Sequence, residues 1–196
     1  GMAQENMLDA LSDPMFDESA EELIDNPLRV TGELRGPVGP AEGVFVRLEI
    51  RDMRSRMVVS TMETRSDTTG FFQFDLSRYE FPRYGLEMIT SSRRYADYLQ
   101  IEVVPRVEMP YHFRVDLRPG VLLRGKVIDQ EGNPLDDVLV GGPMINDQRS
   151  DSRGEWEVYG LQPGAWRVRF QKEGYAETFL EGQYFDPGIY EDLDVV

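Results

Sequence analysis

The chain predicts an all-β fold built from antiparallel sheets, arranged as two units in tandem. Apolar residues recur with a period of two in short runs, the mark of half-buried strands. Gly, Pro, Asn and Asp separate the runs. The same landmarks also occur twice in the same order. The pattern is clearest over residues 121–175. There Val121, Leu123 and Val127 share one face, and Val138 and Val140 continue it on the next strand. Trp156 with Val158, then Trp166, Val168 and Phe170, repeat the period with Arg167 and Arg169 facing out. Between them lie turn residues: Gly132-Asn133-Pro134, Ser150-Asp151 up to Gly154, and Gln162-Pro163-Gly164.

Taken from its start, the chain opens with Gly1 ahead of Met2, which reads as a tag remnant. Met2 is either a native start or a truncation point. Residues 1–27 hold eight acids (Glu5, Asp9, Asp13, Asp17, Glu18, Glu21, Glu22, Asp25) and no Lys or Arg. Such a composition buries too little apolar surface to offset the entropy of ordering, so a largely disordered acidic arm is expected. A short helix capped at Ser19 with Glu22 is the alternative for its last turn. Residues 28–118 carry a net charge of +1 and residues 119–196 a net charge of −8, within a total of −15. That sign repels phosphate backbones and anionic lipid, which excludes nucleic acid and charge-driven membrane binding. No apolar run approaches the roughly 18 residues that cross a bilayer. With no cysteine in the 196 residues, disulfides, thiol catalysis and cysteine-ligated metals are excluded as well.

From Leu28 the strands begin. Val44, Val46, Leu48 and Ile50 alternate with Phe45, Arg47, Glu49 and Arg51. Runs follow over 57–64, 71–74, 86–90, 99–104 and 111–117, and Arg118-Pro119-Gly120 forms a boundary. The two units therefore span 28–118 and 119–196. Their landmarks match. Gly32 corresponds to Gly125, Arg65-Ser66-Asp67 with Gly70 to Arg149-Ser150-Asp151 with Gly154, and Tyr95-Ala96-Asp97 to Tyr175-Ala176-Glu177. The spacing in the first unit is longer, and a longer hairpin around residues 51–59 would absorb the excess. Three ordered matches indicate duplication. In both copies the Asp accepts hydrogen bonds from its own turn amides and the Gly allows a positive φ. Pro163-Gly164 suits the centre of a type II turn. Leu161, Trp166 and Tyr175 are expected to close one end of the second unit.

The second unit resembles the carboxypeptidase regulatory-like (transthyretin-like, prealbumin-type) β-sandwich family over roughly residues 120–195. The resemblance is carried by Gly125-Lys126-Val127-Ile128-Asp129, Gly132-Asn133-Pro134-Leu135, Val138 with Val140, Ser150-Asp151 with Gly154, Leu161-Gln162-Pro163-Gly164 and Gly174-Tyr175. The first unit joins only through the internal repeat and lacks the Leu-x-Pro-Gly block. The resemblance implies a seven-stranded sandwich in each copy and a non-catalytic accessory module of a larger or surface-located protein.

Enzymatic relatives of this outline do not fit. Intradiol dioxygenases need paired His and Tyr iron ligands, and hydroxyisourate hydrolases need several histidines. This chain has only His112, set in an alternating run where a structural role is expected. Collagen-adhesin B-type domains form an isopeptide bond from an inward lysine, where this chain has Val127. Lys126 should instead face outward. No Gly-x-Ser-x-Gly elbow accompanies the histidine. Asp136 and Asp137 are expected on opposite faces of a strand, and Glu155 with Glu157 on the solvated one. Calcium at Asp147, Asp151 and the Asp129–Glu131 loop is a minority reading, because no Asp-x-Asp-x-Asp-Gly loop exists.

No catalytic residue, metal site or cofactor is assigned. Both indoles are expected in the core. The surface candidates for binding are Phe45, Tyr184, Phe185 and Tyr190. Arg47, Arg51, Arg54 and Arg56 form a basic set that could meet acidic surface. The expected function is a structural or protein-binding accessory module, extracytoplasmic (periplasmic, secreted or on the cell surface), with a protein partner or self-association. Carbohydrate binding is the alternative.

Overall fold

The computed structural model describes residues 28–180 and 183–196. The acidic stretch over 1–27, with the pattern at Ser19 and Glu22, lies outside the described residues. Within them the chain is all β apart from a 3-10 turn at Arg106–Glu108.

The first part of the chain forms β1 (Arg29–Gly36), β2 (Gly39–Pro40), β3 (Phe45–Asp52), β4 (Val58–Arg65), β5 (Phe71–Asp75), β6 (Arg83–Ser91), β7 (Tyr98–Pro105) and β8 (Tyr111–Asp116). One sheet has the order β4-β3-β6-β7, all antiparallel. In the other, β1 pairs antiparallel with β2 and β5 and parallel with β8. The two sheets share one buried cluster. Val30 and Leu34 of β1, Val46, Leu48 and Ile50 of β3, Phe72, Leu86, Met88 and Phe113 all turn into it. Period-two alternation puts them there, and burial of this apolar area is what stabilises the pair of sheets.

The second part repeats the plan with β9 (Val121–Lys126), β10 (Leu139–Gly142), β11 (Ile145–Arg149), β12 (Glu155–Leu161), β13 (Gly164–Ala165), β14 (Val168–Gln171), β15 (Thr178–Leu180), β16 (Tyr184–Phe185) and β17 (Gly188–Tyr190). Its sheets are β11-β10-β14-β15 and β12-β9-β17, with a separate two-stranded β13-β16 pair. Here too the parallel pairing, β9 with β17, sits beside an antiparallel one. A second cluster, which includes Val121, Leu123, Val127, Val140, Trp156, Val158, Val168 and Phe170, fills the space between these sheets.

The likeness of the two parts extends to individual hydrogen bonds. Gly32 pairs with Phe72, and Gly125 with Trp156. Ser66 and Ser150 are buried, and each hydroxyl spans the same gap. It accepts from Val44 N–H (3.0 Å) or Val138 N–H (2.9 Å) and donates to the carbonyl of Ala41 (2.6 Å) or Leu135 (2.8 Å). Arg65 donates to the Gly43 carbonyl, and Arg149 to that of Asp137. Asp67 accepts from Thr69 and Phe71 amides, and Asp151 from Arg153 and Glu155 amides. The Arg-Ser-Asp tripeptide is thus one structural device used twice. The extra length of the first copy falls in the β3-β4 hairpin, as its spacing predicts.

Several expectations require correction. Gly164 is not the centre of a type II turn: its φ of 158° is nearly extended, and it pairs with Phe185 across β13-β16. Trp166 precedes β14 and is only half-buried, packing against the cluster from its margin. Its indole N–H donates to the Gln162 carbonyl at 2.7 Å. Tyr175 closes nothing, since it lies in a loop and is 51% exposed. Asp136 and Asp137 precede β10 instead of lying on a strand, and they meet Lys172 and Arg149 respectively.

Candidate functional site

Two surfaces stand out, one on the first sheet pair and one where the two parts of the chain meet. One is the edge strand β7. Its neighbour on one side is β6, and among the described residues no strand pairs with its other side. Leu99, Ile101 and Val103 alternate onto the outer face at 54%, 63% and 50% exposure. The intervening Gln100 and Glu102 point the other way, linked in a chain from Tyr98 Oη to Gln100 to Glu102 (3.1 and 2.7 Å). Burial, helped by the Glu102 charge, pushes the Tyr111 phenol above its usual value there. Exposed edges in natural sheets are blunted by edge charge, by proline or by inward-pointing charge, and Glu102 is of the last kind. On its outer face β7 presents aliphatic carbon.

The other surface is a cleft of about 730 Å³ where the two parts of the chain meet, lined by Phe45, Arg47, Arg65, Ile89, Arg93, Arg94 and Asp97 on one side and Asn146 and Tyr159 on the other. The segment 92–97 forms its floor and the junction itself. Ala96 N–H donates to the Arg118 carbonyl (2.9 Å), Gly120 N–H to that of Arg94 (3.0 Å), and Asp97 N–H to that of Gly160 (2.7 Å). Gln162 Nε2 reaches the Asp97 carbonyl at 3.2 Å, and Arg93 pairs with Glu157 at 2.8 Å. Ala96 is buried here, and Tyr95 is buried in the first core. Asp97 Oδ1 is buried without a hydrogen-bond partner among the described residues. Burial raises its carboxyl from 3.8 to about 6, against hydrogen bonds from the Ser91 hydroxyl and Ser92 amide.

The residues proposed from sequence divide. Phe45 is half-buried in the cleft wall, with the Arg65 guanidinium 5.8 Å from its ring centroid. Tyr184 is 65% exposed, whereas Phe185 is 1% exposed and belongs to the second core. Tyr190 packs edge-on against Phe185 and exchanges hydrogen bonds with the Asp186 backbone. Since the middle ring is buried, these three residues make no continuous aromatic platform.

Arg51 is tied to Glu49 and Glu87 at 3.1 Å each, a pairing within its own sheet. Arg54 and Arg56 sit in the exposed β3-β4 turn, and of the four only Arg47 lines the cleft. The calcium candidates are otherwise engaged. Asp129 and Asp151 are held below the usual carboxylate range, Asp129 mainly by the Asn133 side chain and Asp151 mainly by the Glu155 amide. Among the described residues no group of three or more His, Cys, Asp or Glu is placed to hold a metal. Thr31 Oγ1 lies 2.8 Å from His112 Nδ1 on adjacent strands.

Sequence reasoning missed Arg93, Arg94 and Tyr159 as companions of Phe45 and Arg47. A signal was available: at the positions of Arg93 and Arg94, the second copy has Glu173 and Gly174.

No family model matches the chain, and no curated protein matches it. Among solved structures, the chain is similar at 12% identity to the Bacillus anthracis TIE protein (TM-score 0.33), covering 85% of this chain and 33% of that one. It is similar at 12% identity to GBS52, the minor pilin of Streptococcus agalactiae, over 85% and 94% of the two chains (TM-score 0.34). A streptococcal ancillary pilin is 14% identical over 85% and 61% (TM-score 0.38). The chain thus spans about a third of the length of the TIE protein. Among the described residues no helix is long and apolar enough to cross a membrane.

Proposed function

We propose that residues 28–118 and 119–196 are two seven-stranded β-sandwiches in tandem, of the carboxypeptidase regulatory-like kind, forming a non-catalytic structural module that binds protein outside the cytoplasm. The shared strand order and the repeated Arg-Ser-Asp device support the tandem reading. Each copy has seven strands once the two-residue strands β2, β13 and β16 are set aside. The location rests on the resemblance alone. Protease shaving of intact cells expressing the tagged protein tests it: protection until lysis would place the protein inside.

The observation that carries the binding role is β7, an unpaired edge with an aliphatic outer row. Ile101 is the middle of three exposed apolar residues spaced by two. Antiparallel pairing of β7 with β7 of a second copy, centred on Ile101, would set Leu99 opposite Val103 in both directions, an isologous contact. The test is sedimentation velocity of the full chain. A concentration-dependent dimer that Ile101→Lys converts to monomer, with the melting temperature unchanged, is the expected result. A wild-type monomer at every concentration, or a dimer indifferent to Ile101→Lys, sinks self-association through this edge.

A further inference from the structure

The internal repeat allows the structural part of the junction cleft to be subtracted from whatever else it holds. In the first copy Phe45 pairs with Arg65 and Ser91, and Arg47 with Ile89. In the second, Leu139 pairs with Arg149 and Gln171, and Gly141 with Arg169. Arg65 and Arg149 are therefore equivalent, and both serve the fold by donating to a loop carbonyl. The other three arginines of the cleft have no such duty. At the positions of Arg47, Arg93 and Arg94 the sister copy has Gly141, Glu173 and Gly174, and it folds to the same strand order without them.

Their bonding tells the same story. Arg47 Nε is buried and has no hydrogen-bond partner among the described residues. Arg94 lies over the Tyr95 ring at 5.8 Å, a contact of the guanidinium face that does not consume its N–H donors. Arg93 alone is held by a carboxylate, that of Glu157. A buried guanidinium nitrogen left unbonded is costly unless something supplies an acceptor. In a chain of net charge −15, four arginines around one cleft, against Glu42 and Asp97, make a local positive field of the kind that attracts anions.

We propose that this cleft is a binding site for a carboxylate-rich linear ligand, an acidic peptide segment, with Arg47 and Arg94 as its main anchors. The planar fork of arginine suits carboxylates bidentately. Phe45, Ile89 and Tyr159 give the cleft apolar wall for the methylene stems of such a peptide. The proposal rests on reading the chain as a protein-binding module, but it uses a surface separate from β7.

The experiment is fluorescence anisotropy of fluorescein-labelled hexaglutamate with the full chain at low salt. Arg94→Gln and Arg47→Gln are the test variants. Arg114→Gln, an exposed arginine of β8 outside the cleft, is the control. Arg94 is exposed, so its variant remains informative if Arg47→Gln fails to fold. Expected are a Kd about tenfold weaker in each test variant, the loss of a charge-assisted hydrogen bond, no change in the control, and no binding of labelled hexaglutamine. Absence of hexaglutamate binding, equal binding of hexaglutamine, or a Kd indifferent to Arg94→Gln overturns the proposal. So does a preference for tripolyphosphate over hexaglutamate in competition, which would assign the cleft to phosphate. Ile101→Lys should bind hexaglutamate normally, so failure of the cleft and failure of the β7 contact are separable.

Discussion

At Gly70 and Gly154 the backbone runs at φ of 78° and 73°. A Cβ at either position would strike a carbonyl oxygen, that of Leu34 or of Val127. Those carbonyls also accept the Ala41 and Leu135 amides, so they cannot swing away freely. Gly70→Ala and Gly154→Ala should each cost about 1–3 kcal/mol in urea denaturation, the range for a side chain forced into left-handed backbone. Asp97 carries a second prediction. A carboxyl raised to about 6 binds more protons in the native state than in the unfolded chain between its ordinary 3.8 and 6. Its contribution to stability therefore declines as pH rises through that window and stays low above it. Asp97→Asn should melt higher than the parent at pH 7, and the difference should close on acidification to about pH 4. An unchanged gap across that range would mean the carboxylate is not desolvated in the native state.

The element scale separates the two indoles. Trp156 sits inside β12, 3% exposed and edge-on to Phe170 at 5.0 Å. Removing it opens a cavity between sheets, and Trp156→Ala should cost about 3–5 kcal/mol. Its indole N–H is buried and unbonded. Trp156→Phe removes that donor and should recover a substantial part of the loss. Trp166 stands between the short β13 and β14, and its indole N–H donates to the Gln162 carbonyl. Thermal unfolding of Trp166→Ala should show a smaller loss than Trp156→Ala; an equal loss would place Trp166 in the core. The serines of β-turn approach are equally element-bound. Ser66 and Ser150 were legible as repeats of one tripeptide, but not as buried bridges, because alternation says nothing of a side chain that turns back onto its own loop.

Across the whole molecule the junction is made chiefly by backbone, with Arg93-Glu157 as a single ion pair on an exposed arginine. Exposed pairs contribute only about 0–1 kcal/mol, so the backbone contacts dominate. Gly160 is the tightest point: its φ is 76°, and a Cβ there would meet the Asp97 carboxylate. The parent chain should unfold in one calorimetric transition. Gly160→Ala should split it in two by weakening the coupling without entering either core. A single sharp transition in both proteins would show that the coupling does not pass through Gly160.

The all-β character, most strand positions, the matching landmarks of the two parts and the turn roles of Asp67, Asp151, Gly70 and Gly154 were readable from residues alone. They depend on contacts local in sequence or on a period of two, and both are written along the chain. The fate of Phe185, Tyr175 and Trp166 was not. Each lies where regular alternation stops, and burial there depends on which distant segment arrives. The third repeat landmark shows this most clearly: Tyr95 is buried and Tyr175 exposed, although they occupy equivalent places. The difference is that the Tyr95 ring turns into the first core, with its end over Gly36, while Tyr175 lies in an exposed loop. The β3-β6 pairing brings Phe45 and Arg47 beside Arg93 and Arg94, and the approach of β12 adds Tyr159 to make one cleft, because charge and aromatic content are fixed by sequence but proximity between chain segments is fixed by packing.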